Sequence, residues 1–118
     1  MQIIENSSCH NHYDCLLDLC KQADELVIAS PFCFPNFERF VSNVSKEDAT
    51  RKITFITTMK NDEAVEKIDS LLSFRKAMKE HGIDWKIRID NMLHGKVYIF
   101  KNNDAPFAAI ITSANLTQ

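Results

Sequence analysis

A strand–helix–strand unit in the middle of the chain constrains the fold more than any other feature. Residues 53–58 are rich in β-branched side chains and have strand length. Asn61 then suits a helix cap, with Asp62 and Glu63 in a first turn where negative charge complements the helix dipole. The stripe expected to meet the sheet runs Val65, Ile68, Leu71, Leu72, Arg75 and Met78, and Gly82 supplies a left-handed stop. Trp85, Ile87 and Ile89 next alternate with Lys86, Arg88 and Asp90, which predicts a strand with one partly wet face. Strands joined through a helix of this length run parallel, so the chain is committed to an α/β sheet.

The flanking segments extend the alternation. Residues 12–23 read as an amphipathic helix, 26–29 as a short strand stopped by Ser30-Pro31, and 35–44 as a helix carrying Phe37, Phe40, Val41 and Val44. Residues 97–100 and 107–112 are two further strands around a loop, 102–106, with turn chemistry. The order α-β-α-β-α-β-β-β predicts a mixed β-sheet flanked by helices. It should be parallel with right-handed crossovers where helices intervene, and antiparallel at the last hairpin.

The size, 118 residues, fits one hydrophobic core. Apolar residues make up 45% and charged ones 25%, which excludes a disordered or fibrous chain. No apolar run reaches the roughly 18–20 residues that cross a bilayer, and no signal peptide is legible, so a cytoplasmic protein is expected. The formal net charge of −2 is unevenly spread: −5 over residues 1–50 and +3 over residues 75–118. A polyanion should meet the C-terminal third. Cys9, His12, Cys15 and Cys20, with His10 nearby, invite a zinc reading. Their overlap with a helical stripe favours small buried thiols instead, so no metal is expected.

The chemistry gathers in the last 25 residues. His94 and Lys96 flank Gly95, and strand alternation points both from one face. If Phe100 pairs with Phe107, His94 comes opposite Ser113, Lys96 faces Ile111, and Asn115 lies just beyond. A slip of one residue changes the pairs and keeps the four groups at one end of the hairpin. An imidazole can serve as nucleophile or general acid, while ammonium and amide donors hold phosphate oxygens. Tyr98 shares the strand face and reads as core, and His81, beside Gly82, as a helix C-terminus.

His94-Gly95-Lys96, followed by Thr112-Ser113-Ala114-Asn115, resembles the His-x-Lys and Gly-Ser-x-Asn signature of the phospholipase D superfamily. The likeness is greatest to bacterial nucleases and restriction endonucleases with one motif per chain, and Ser30-Pro31-Phe32 is similar to that family's usual strand ending. The resemblance implies a phospholipase D-like nuclease fold with one half-site per chain. It further implies that His94 attacks phosphorus to form a phosphohistidine. Lys96 and Asn115 would bind the non-bridging oxygens, and Ser113 would support the imidazole or the phosphate. No cofactor is implied, because a nitrogen nucleophile and fixed cationic donors take over a metal's usual tasks. A site needing two motifs is expected at the two-fold of a homodimer, with one His94 neutral and the other protonated.

The sequence departs from the family at three places. Lys101 stands where the fuller motif has Asp, Thr112 replaces the glycine before Ser113, and no acidic residue follows Asn115 before Gln118. The expectation is therefore a domain, 1–118, forming the N-terminal part of a longer protein and turning over poorly by itself. The function expected of the whole is metal-independent, restriction-type DNA endonuclease activity. A degenerate, dimerising nucleic-acid-binding module is the alternative. A phospholipid phosphodiesterase is disfavoured by the want of a membrane-binding amphipathic stretch and a second motif.

Overall fold

The computed structural model describes residues 2–4, 16, 18–31, 42, 50–93 and 95–112. Six strands among them form one sheet: β1 (Gln2–Ile4), β2 (Glu25–Ala29), β3 (Lys52–Thr57), β4 (Asp84–Ile89), β5 (Lys96–Asn102) and β6 (Ala105–Thr112). The spatial order is β1-β6-β5-β2-β3-β4. Pairing is parallel for β1/β6, β2/β3 and β3/β4, and antiparallel for β2/β5 and β5/β6. The expected mixed α/β sheet is present, and β5 alone of these strands runs against the rest. Its first residue therefore shares an end of the sheet with the carboxyl ends of the others. β1 was not foreseen: three residues are too few to show a period, and β6 supplies the pairing that makes them a strand.

Helix α1 (Ala64–Glu80), preceded by a 3-10 turn (Asn61–Glu63), crosses from β3 to β4. Its buried positions are Lys67, Phe74, Ala77 and Met78, with Leu71 packed against the same cluster. Of the expected stripe, Leu71 and Met78 meet the core, whereas Val65 is 79% exposed, Leu72 54% and Ile68 49%. The true stripe, 67-71-74-78, has ideal spacing but begins on a lysine, which hides it from a hydrophobicity count. Asn61 is not the cap. Lys60 is the N-cap of the 3-10 turn, and its backbone N–H donates to the Glu63 carboxylate at 3.0 Å in a capping box. Gly82 has the left-handed backbone expected of it, with φ +66°.

The core lies between α1, the early helical segment containing Leu16 and residues 18–20, and one face of the sheet. Leu26, Ile28, Ile53, Phe55, Tyr98, Phe100, Ala108 and Ile110 supply the sheet side, and Phe55 meets Phe74 with ring centroids 5.6 Å apart. Cys20 is buried in this core as a reduced cysteine. Cys9, His10, His12, Cys15 and Cys33 lie outside the described residues, as do Phe32, Phe34, Phe37 and Phe40. Among the residues of the expected helix 35–44, only Ser42 is described, and it is helical. β4 is wetter than expected: only Ile87 is half-buried, and Lys86 and Arg88 stand on an outer edge where charge discourages further pairing.

The β5–β6 hairpin corrects the expected register. Asn103 and Asp104, with φ of 52° and 66°, form a two-residue turn in place of the five-residue loop. Lys101 pairs with Pro106, but a bulge between Phe100 and Lys101 moves Phe100 onto Ala108 and Lys96 onto Thr112, not Ile111. Pro106 has no N–H for the ladder, so an irregularity beside it is physically reasonable.

Candidate active site

Lys96 opens β5, and strand alternation sets it on the same face as Tyr98 and Phe100, towards the core. It is only 6% exposed. Burial, which penalises the charged ammonium, holds its pKa below the ordinary lysine value. A lysine so placed gains most from an anion, which restores what the ammonium loses on leaving water. Tyr98, 2% exposed, is core as expected, and burial drives its phenol well above the usual range.

His94, Ser113 and Asn115 lie outside the described residues, and so does the side chain of Thr112. The structure therefore describes Lys96 of the four candidate site residues and the sheet end at which it stands. β2 pairs beside it through Ala29 and Val97, and β6 on the other side through Thr112. Carboxyl ends of parallel strands are where open α/β sheets bind ligands, since the chain leaves the sheet there and backbone groups are free to serve.

Lys101 lies five residues along β5 at the opposite end of the strand, ~17 Å from Lys96 by strand rise. It pairs with Glu25, its ladder partner, at 3.6 Å. Its charge is thus balanced locally, far from the candidate site.

The sequence reading missed a polar group on the adjoining strands. Lys67, 5% exposed, reaches from α1 to the ends of β2 and β3. Its Nζ donates to the Pro31 carbonyl at 2.7 Å, to Thr57 Oγ1 at 3.2 Å and to Thr58 Oγ1 at 3.3 Å. Thr58 in turn donates to Glu63 at 2.6 Å, and Glu63 lies 3.7 Å from the ammonium. That hydroxyl, followed by the Lys60 N–H, pulls the Glu63 carboxyl below its ordinary pKa. The signal that could have found the group is a lysine in phase with Leu71, Phe74 and Met78.

Among the described residues, no cluster of three or more His, Cys, Asp or Glu side chains could hold a metal. Nor is any helix among them long and apolar enough to cross a membrane. No curated protein matches the sequence. A family model does, over residues 10–118, and its description is the N-terminal PLD domain of the NgoFVII restriction endonuclease. A match of that span covers nearly the whole chain and includes both parts of the His94–Asn115 motif. The chain belongs to this family of phospholipase D-type restriction endonuclease domains, and membership supports a nuclease role.

Proposed function

We propose that the domain cleaves DNA phosphodiesters without a metal, by way of a covalent intermediate on His94. The family match over residues 10–118 carries the reading, because it takes in the complete motif. The burial of Lys96 at the carboxyl end of the sheet supports it. In this account a neutral His94 attacks phosphorus. A P–N bond forms as a P–O bond breaks, and the leaving oxygen takes a proton from His94 of a second copy of the chain. Water then attacks the phosphohistidine as the now neutral His94 of the second copy takes its proton; a P–O bond forms, the P–N bond breaks, and both imidazoles return to their starting states as the second product leaves. Lys96 and Asn115 hold the non-bridging oxygens as charge grows on them, and Ser113 steadies the imidazole or the phosphate. The two imidazoles share one proton, so they titrate as a pair and the rate is bell-shaped in pH.

The test is to quench the complete protein during turnover of end-labelled DNA and look for label on protein. A covalent adduct, stable in alkali and lost in acid, is expected in the wild type and absent from His94→Ala. An adduct that persists in His94→Ala, or rapid turnover with none at any time, overturns the reading. The alternative, a dimerising module that binds DNA without cutting, rests on Lys101 in the place of the fuller motif's Asp. It predicts salt-dependent binding that His94→Ala leaves unchanged, with no cleavage in either protein.

A further inference from the structure

The Lys67 group is a costly arrangement for a structural purpose alone. An ammonium withdrawn from water needs every donor matched, and an apolar side chain of similar volume would fill the position at lower cost. Here all three donor directions are used, on Pro31, Thr57 and Thr58. Pro31 lies two residues beyond the end of β2 and has no N–H, so it cannot extend the ladder as a donor. Just before it, the Ser30 N–H donates to the Ile56 carbonyl at 2.9 Å. Beyond it, Lys67 ties the chain leaving β2 to the end of β3. β2 is also the strand against which β5 begins, since Ala29 pairs with Val97, the neighbour of Lys96. Glu63, bound through Thr58, supplies the opposing charge.

We infer that Lys67 is a positioning residue: its buried ammonium fixes the exit of β2 against β3, and so fixes the strand from which Lys96 is presented. The inference rests on the proposed phosphodiesterase reading for its effect on rate, though its effect on the sheet does not depend on that reading. A small displacement of a charged donor costs a reaction far more than it costs binding, because charge complementarity matters most where charge develops.

The experiment compares complete wild-type protein with Lys67→Met, Lys67→Arg and the milder Thr57→Val. DNA cleavage is separated into kcat and KM, and backbone hydrogen exchange is followed along β2 and β5. Lys67→Met should lower kcat roughly 10- to 100-fold with KM within about twofold. Exchange should quicken at Ser30 and at residues 96–98 while residues 101–102 stay as in the wild type. Lys67→Arg should recover part of the rate, and Thr57→Val should lose less of it. Should Lys67→Met fail to fold, Thr57→Val, which keeps the ammonium, decides by the same two measurements. Unchanged exchange at residues 96–98 in a variant that folds overturns the inference, as does an unchanged kcat in an active protein. If the wild type does not cleave, the phosphodiesterase reading fails, and the exchange data still decide whether Lys67 holds the Lys96 strand.

Discussion

The Thr58 hydroxyl donates to the Glu63 carboxylate at 2.6 Å, binding the end of β3 to the turn that opens α1. Because Thr58 also accepts from Lys67, the three side chains act as a unit. Hydrogen bonds of this kind polarise one another, and the loss of one member leaves its partners poorly satisfied.

Glu63 makes the first prediction, in pH. Its folded pKa lies below the ordinary 4.5, held there first by the Thr58 hydroxyl and then by the Lys60 N–H. A depressed carboxylate stabilises the fold above its unfolded pKa, and this contribution disappears as pH falls through the folded value. Glu63→Gln should therefore melt below the wild type at pH 7, with the difference closing as pH falls below 4.5 and through the folded value. Thermal unfolding at several pH values checks this. A gap that stays constant or widens in acid counts against it.

The phase of α1 makes the second. Phe74 is 1% exposed and packs on Phe55, whereas Val65 is 79% exposed. Phe74→Ala should cost about 3–5 kcal/mol and Val65→Ala no more than about 0.5 kcal/mol by denaturant unfolding. Comparable losses in the two variants would restore the stripe expected from hydrophobicity.

The hairpin turn makes the third. Asp104 holds a left-handed backbone, φ 66°, after Asn103 in the same region. Asp104→Gly creates the Asn-Gly pair that such turns favour and relieves the crowding at the β-carbon. Stability should rise by roughly 0.5–1 kcal/mol. A loss of stability would mean that the Asp104 side chain contributes more than its backbone costs.

Lys101 makes the fourth. Its partner is Glu25, and it stands at the far end of β5 from Lys96. Lys101→Asp installs the Asp of the fuller motif but sets two carboxylates opposite one another. Stability should fall by about 1 kcal/mol, and cleavage should not increase. A gain in rate would show that this position acts on the site.

The parts of the fold that were legible in the sequence are those where local preference and tertiary demand agree. The β-branched run 53–58, the Gly82 stop and the buried strand at 26–29 are of this kind. Others answer to distant residues. β1 exists through β6, the β5–β6 register turns on a bulge beside Pro106, and Lys67 is buried because Pro31 and two threonines meet it. At the candidate site, residue identity was legible before geometry. His94, Lys96, Ser113 and Asn115 announce their chemistry by type and spacing, but the pairing of Lys96 with Thr112 needed the sheet.

In the proposed reaction His94 does the chemistry and no metal is required. The most direct measurement is plasmid cleavage by the complete protein in excess EDTA, beside its His94→Ala variant. Cleavage should survive the chelator and disappear in the variant. Cleavage abolished by EDTA and restored by a divalent cation, or retained by His94→Ala, would contradict it.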